Sequence, residues 1–87
     1  MIFIGLSKVK KKPTEESFEQ ATKMIDKLKS EGIKILNWYW TLGRYDVVLI
    51  YEAKNEKEAL KTSLAAAEFV APETLVAIPR EEAKALL

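Results

Sequence analysis

Polar side chains that could bind a ligand concentrate around one short turn of this 87-residue chain. Arg44, Tyr45 and Asp46 follow Gly43, between two runs of aromatic and β-branched residues. Asp46 could accept a hydrogen bond from a small ligand or balance its charge, and Arg44 could pair with a carboxylate. Alternatively, Asp46 hydrogen-bonds the turn amides or the opposing Thr41, and Arg44 is a solvated loop residue.

A second polar group, Asn37, Tyr39 and Glu52, lies on the segments that flank this turn. These side chains could line a cavity between two sheets, with Trp38 or Trp40 as a wall if the hairpin register shifts by one position. A carboxyl of this group or of the turn could act as a general base if burial raised its pKa. Alternatively, Asn37 and Tyr39 hydrogen-bond each other or water, and Glu52 lies at the rim.

The composition excludes several kinds of chemistry. The chain has no cysteine and no histidine, which removes disulfides, thiolate nucleophiles, the commonest general base and the axial histidine of haem proteins. We therefore expect no metal site and no cofactor, and no catalytic residue can be assigned. The candidate ligand-binding residues are Asn37, Tyr39, Thr41, Arg44, Tyr45, Asp46 and Glu52.

The charge of the chain indicates whether it binds nucleic acid. With 14 basic and 13 acidic residues the formal net charge is +1, so no overall field attracts a polyanion. Lys8, Lys10, Lys11 and Lys12 could contact phosphates, or they form a solvated loop that discourages edge pairing. We expect no nucleic-acid partner. Because no apolar run approaches about 20 residues, we also expect a cytoplasmic protein without membrane contact.

A β-hairpin must position the turn residues. Gly43 takes positive φ without steric cost, so Gly43-Arg44 suits a two-residue type II′ turn. The resulting register pairs Trp40 with Val47, Tyr39 with Val48, Trp38 with Leu49, Asn37 with Ile50, Leu36 with Tyr51 and Ile35 with Glu52. Because side chains alternate between the faces of a strand, a core face carries Leu36, Trp38, Trp40, Leu42, Tyr45, Val47, Leu49 and Tyr51. A three-residue loop would shift this register by one position.

The other elements complete a recognisable order. The patterns predict a strand over Ile2–Val9, a helix from the Thr14 N-cap to Gly32, and a helix that begins at Asn55 and ends at Pro72. That second helix would turn Leu60, Ser63, Leu64 and Ala67 inward. A strand over Thr74–Ile78 and a short helical tail follow. The order βαββαβ predicts one ferredoxin-like α+β domain over residues 1–87, a four-stranded antiparallel sheet with two helices on one face.

The sheet face that carries no helices predicts that the chain associates with a second copy. Two helices cover one face, yet the strands are apolar on both faces, and an exposed apolar face of several hundred Å² marks an association site. Two sheets packed face to face about a two-fold axis would cover it. We therefore predict a homodimer, and whether dimers assemble further stays open.

The hairpin also carries a family resemblance. The segment Trp40-Thr41-Leu42-Gly43-Arg44-Tyr45-Asp46, followed by Val47-Val48 and Glu52-Ala53, resembles the signature of the GYD domain family. The resemblance extends to Glu73-Thr74-Leu75 and the tail from Arg80. It implies a dimeric α+β barrel, but the largely uncharacterised family brings no established reaction. Pro79 departs from the Ser, Thr or Asp expected to cap the tail helix, which puts the stability of that helix in doubt.

Gly43, Tyr45 and Asp46 are also similar to a turn in the ligand-binding domain of the leucine-responsive transcription regulators, where small molecules bind at subunit interfaces. Three hypotheses follow. The first is a dimeric domain that binds a small molecule or a protein partner at its interface. The second is a cofactor-independent oxygenase or isomerase acting on a small hydrophobic substrate, as some dimeric α+β-barrel enzymes do. The third, a nucleic-acid-binding module, has only the lysines at 8–12 in its favour.

Overall fold

The computed structural model describes residues 1–87 and has the predicted element order. The four strands form one antiparallel sheet in the order β2-β3-β1-β4, and α1 and α2 lie on one face of it, which confirms the ferredoxin-like α+β fold. No helix is both long and apolar enough to cross a membrane. The elements are β1 (Ile2–Val9), α1 (Glu15–Ser30), β2 (Lys34–Trp40), β3 (Val47–Glu52), α2 (Glu56–Ala66), β4 (Val70–Ala77) and α3 (Arg80–Lys84).

Both long helices begin at the predicted caps. The Thr14 hydroxyl accepts the Ser17 N–H at 3.1 Å, and the Ser17 hydroxyl accepts the Thr14 N–H at 2.8 Å. The Asn55 side chain accepts the Glu58 N–H at 3.0 Å. These bonds satisfy backbone donors that have no partner within the helix.

The end of α2 and the start of β4 differ from the prediction. The helix ends at Ala66 rather than at Pro72, and β4 already begins at Val70. Pro72 lies inside β4, opposite Ser7 of β1. It is tolerated there because β4 is an edge strand, where a missing N–H need not interrupt pairing on the open side.

The core lies between the helices and the centre of the sheet. Phe3 and Tyr51 are each 1 % exposed, and their ring centroids are 5.6 Å apart. Ile25 and Leu28 of α1 and Ala59 of α2 pack on these rings. The small Ala59 side chain lets α2 approach the sheet closely enough for the Tyr51 hydroxyl to donate to the Ala59 carbonyl at 3.4 Å.

The predicted inner face of α2 is wrong in part. Ala59 and Thr62 are the buried residues of this helix, whereas Leu60 and Leu64 are 58 % and 67 % exposed. A helix that packs through its smallest side chains comes closer to the sheet, and the two leucines then face solvent. Ser63 remains on the sheet side, where its hydroxyl is 2.7 Å from that of Thr74.

The hairpin register is confirmed near the turn and wrong farther out. The pairs from Trp40–Val47 to Asn37–Ile50 form as predicted. A bulge between Ile35 and Asn37 then shifts the register, so Tyr51 pairs with Ile35 and Glu52 with Lys34, rather than with Leu36 and Ile35. The extra residue in the bulge turns Ile35 towards the core and leaves Leu36 37 % exposed.

The loop of the hairpin is wider than a two-residue turn. The strands end at Trp40 and Val47, and the Thr41 N–H donates to the Asp46 carbonyl at 2.8 Å. No backbone hydrogen bond closes the predicted tight turn from Leu42 to Tyr45. Gly43 has a φ of +112°, so the glycine is needed for its left-handed conformation as expected.

The sheet face opposite the helices is uncovered. Alternation along the strands puts Ile4 and Leu6 of β1 opposite Ile50 and Val48 of β3 on this side, next to Leu75 of β4. No helix of the chain packs against these residues. The tail helix α3 has no side-chain cap at Pro79, and all of its residues are exposed.

Candidate functional site

A cavity lies between α1 and the helix-covered face of the sheet. Its volume is about 530 Å³, within the range of small-molecule sites in proteins. We call it the helix-side cleft. Residues from α1, from β1 to β3 and from the α2–β4 connection line it, and its large apolar members are Phe18, Met24, Trp38, Trp40, Leu49 and Phe69.

An aromatic wall on one side of the helix-side cleft is only half covered by the chain itself. The ring of Phe18 stacks on that of Trp40, with centroids 5.2 Å apart and planes 7° from parallel. Phe18 and Trp40 are each 49 % exposed and Trp38 is 40 % exposed. The alternation of β2 puts both tryptophans on the helix side, as the predicted core face requires, but α1 leaves them accessible. These rings therefore offer apolar surface to a ligand.

The mouth of the cleft is basic. Lys10, Lys11 and Lys12 of the β1–α1 connection line it together with one carboxylate, Glu68. The Lys10 ammonium donates to the carbonyl of Ala67 at the C-terminal end of α2, where the helix dipole favours a cation. The cleft is thus apolar inside and positively charged at its opening.

The polar residues of the hairpin loop lie close together, and they bond to one another and to β1. The Asp46 N–H donates to the Ser7 carbonyl at 2.8 Å, and the Asp46 carboxylate accepts the Val9 N–H at 2.9 Å. The Thr41 hydroxyl donates to the Tyr45 carbonyl at 2.7 Å. Asp46 therefore fixes the loop to β1, a structural role like the one foreseen, with a strand amide in place of the turn amides.

Tyr45 connects the loop to β4. Its hydroxyl donates to the Glu73 carboxylate at 2.6 Å, and the Arg44 guanidinium carbon is 5.8 Å from the Tyr45 ring centroid. The hydrogen bond to Glu73 raises the pKa of Tyr45, with smaller contributions from desolvation and from the negative charge of Glu73, while the charge of Arg44 acts in the opposite direction. The Tyr45 phenol is therefore held in its protonated form.

The hydrogen bond between Tyr45 and Glu73 should make the stability of the protein fall at high pH. The folded state keeps the Tyr45 proton above the ordinary pKa of 10.0, where the unfolded chain has lost it, so the contribution is present below pH 10 and lost as the pH rises through the raised pKa. We expect wild-type protein to lose stability more steeply above pH 10 than Tyr45→Phe, measured by urea unfolding. Equal slopes would contradict the assignment. In Glu73→Ala the pKa of Tyr45 should be lower than in the wild type, as measured by the absorbance of tyrosinate.

The second predicted polar group lies along β2 and β3 on the uncovered sheet face. The Asn37 amide donates to the Tyr39 hydroxyl at 2.8 Å. Glu52 is 4.0 Å from the Lys34 ammonium in an exposed ion pair. Asn37 and Tyr39 thus satisfy each other, the simpler of the two arrangements expected for them.

None of the seven candidate ligand-binding residues lines the helix-side cleft. Phe18 and Met24 fit the apolar stripe of an ordinary amphipathic helix, and Lys11 and Lys12 fit an ordinary solvated loop. Their local pattern therefore does not indicate a cleft. One signal could have identified the cleft. Phe18 and two tryptophans fall on one side of the sheet, beside a core already filled by Phe3 and Tyr51, which is more ring surface than a small domain buries.

The remaining observations concern metals and known proteins. No group of three or more acidic side chains is placed to hold a metal ion. Comparison with protein families finds that the family described as GYD domain matches residues 3–87, which include the cleft, the loop and the uncovered sheet face. No curated protein matches the chain.

Proposed function

Given that this chain belongs to the GYD domain family, we propose that it is a homodimeric binding domain that takes up one small, largely apolar molecule in the helix-side cleft of each subunit. The half-exposed aromatic wall of Phe18, Trp38 and Trp40 supports this proposal. A monomeric soluble domain gains nothing by leaving three large rings open to water around a cavity of this size. A ligand gives those rings a partner.

The gain from filling the cleft is sufficient for binding. Each 100 Å² of apolar surface that a ligand covers stabilises the complex by about 2.5 kcal/mol before the entropic costs of association. Stacking on a tryptophan face adds about 0.5–1.5 kcal/mol for an aromatic ligand. The walls are built on α1 and the sheet rather than on long loops, so little reorganisation is needed when a ligand enters.

Binding fits the geometry better than catalysis. An oxygenase or isomerase that works without a cofactor needs a group able to accept a proton next to the substrate. The titratable side chains of the cleft, Lys10–Lys12 and Glu68, are all exposed at its mouth. The rest of the lining is mostly apolar, and its one buried polar side chain is the neutral Ser7. Such a surface positions a molecule without transforming it.

The uncovered sheet face supports the dimer. Its centre is apolar, with Ile4, Leu6, Ile50 and Leu75, and the polar pairs Asn37–Tyr39, Lys34–Glu52 and Tyr45–Glu73 lie around it. An apolar centre with a polar rim is the usual anatomy of a protein interface. In this dimer the candidate ligand-binding residues among these pairs, Asn37, Tyr39, Tyr45 and Glu52, would contact the partner subunit. Native mass spectrometry should show twice the 9.9 kDa chain mass, and a monomer at micromolar concentration would contradict the sheet-to-sheet packing.

The ligand site is tested with a neutral apolar fluorophore, N-phenyl-1-naphthylamine, excited by energy transfer from tryptophan. We expect saturable binding of one probe per chain. Trp40→Ala should weaken it about tenfold, equivalent to about 1.4 kcal/mol, because the stacked wall is lost. Leu64→Ala is the control, since it removes an exposed apolar side chain outside the cleft. Unsaturable binding, or equal affinity in both variants, would contradict the assignment.

A further inference from the structure

The lysines at the mouth of the helix-side cleft identify the chemical class of its ligand. This inference rests on the proposed apolar site and adds the charge of the molecule that fills it. We propose that the ligand is a small apolar anion, with an aromatic or alkyl body inside the cleft and one anionic head group against Lys11 and Lys12. The cleft, its basic mouth and the charge distribution of the rest of the chain each support it.

The backbone that carries these lysines is held in place. The Lys10 N–H donates to the Phe69 carbonyl at 3.3 Å, and the Lys10 side chain bonds to the Ala67 carbonyl. These two bonds attach the β1–α1 connection to the end of α2. Pro13 follows directly and restricts the backbone further. Lys11 and Lys12 are therefore presented at the mouth from a defined position, rather than from a free loop.

The charges at the mouth are not balanced within the chain. The four ion pairs of the molecule join Lys34 to Glu52, Lys61 to both Glu31 and Glu58, and Arg80 to Glu81. Neither Lys11 nor Lys12 has an acidic side chain within 4.0 Å. Glu68 is the single carboxylate lining the cleft, against three lysines. In a chain whose overall charge is close to neutral, this local excess favours an anion.

The arrangement fits one molecule with two different ends. The walls made by Phe18, Trp40 and Met24 accept an apolar body, and lysine side chains extend their apolar stems along such a surface while the ammonium stays in water. Exposed ion pairs are weak, so two lysines should change the preference for a charged head group only about fivefold. A nucleic acid would need a longer basic stripe than one connection provides.

The experiment compares decanoate with 1-decanol, which have the same alkyl body and different head groups. Each displaces the neutral probe from wild-type protein, and the ratio of their dissociation constants measures the preference for charge. In the double variant Lys11→Gln/Lys12→Gln that ratio should shift about fivefold towards the alcohol, while the affinity for decanol is unchanged. The control is Lys54→Gln/Lys57→Gln, which removes the same charge from exposed positions outside the cleft.

The outcomes separate this inference from the proposed function. If both molecules displace the probe and the ratio is the same in wild-type and Lys11/Lys12 variants, the anionic head group is wrong while the apolar site stands. A ratio that shifts equally in the control variant would also overturn the inference, because overall charge would then explain it. If neither molecule displaces the probe, the apolar site itself fails, and the inference fails with it.

Discussion

Ile50→Lys should convert the proposed dimer into a monomer at micromolar concentration. Ile50 lies near the centre of the uncovered sheet face, opposite Ile4 of β1. A two-fold axis repeats every substitution in both subunits, so the change would bury two ammonium groups without partners. Each carries a desolvation penalty of several kcal/mol, which exceeds what a small interface can offset.

The monomer produced in this way should remain folded. The Ile50 side chain points away from the Phe3–Tyr51 core, so the substitution removes no core contact. Val76→Lys is a matched control, because Val76 belongs to the same sheet but faces the helix side and is 55 % exposed. Sedimentation equilibrium of the two variants should give a monomer for Ile50→Lys and a dimer for Val76→Lys. Dimers from both would place the interface elsewhere.

Phe3→Ala should destabilise the fold by about 3–5 kcal/mol, the usual loss when a buried aromatic side chain is removed. Phe3 is 1 % exposed and stacks on Tyr51, and the residues around them come from both long helices. A domain of this length has a total stability on the order of 4–13 kcal/mol. The substitution therefore removes a large part of it.

Phe18→Ala gives the control for this loss, since it is the same substitution at a ring that is 49 % exposed. We expect it to cost less than half as much stability. Both variants are unfolded in urea at one fixed protein concentration, because the proposed dimer would make the apparent stability depend on concentration. Equal losses from the two substitutions would mean that the Phe3–Tyr51 stack is not the centre of the core.

Local signals made much of the fold predictable. Thr14 and Asn55 cap their helices because their side chains reach backbone donors within three residues. Gly43 takes the left-handed conformation of the loop. The strand pairs next to that loop follow from the position of the turn at Gly43-Arg44. Each of these features depends on residues close together in the chain, where pattern and structure are directly linked.

The features that were not predicted depend on tertiary packing. The bulge near Leu36 forms because Ile35 packs against the core. The orientation of α2 that exposes Leu60 follows from the close approach of Ala59 to Tyr51. The Tyr45–Glu73 bond joins residues 28 positions apart. The helix-side cleft depends on how far α1 stands from β2, and no short pattern in the sequence determines that spacing.

The most direct test of the proposed binding site uses the two tryptophans of the chain, both of which line the cleft. A ¹H–¹⁵N NMR spectrum reports each indole N–H separately, and decanoate is titrated into the labelled protein. The proposal predicts saturable shifts of both indole signals and of the Phe18 and Met24 amides, with the Leu75 amide on the uncovered sheet face unchanged. Shifts centred on Leu75 and its neighbours, with both indole signals unmoved, would contradict it.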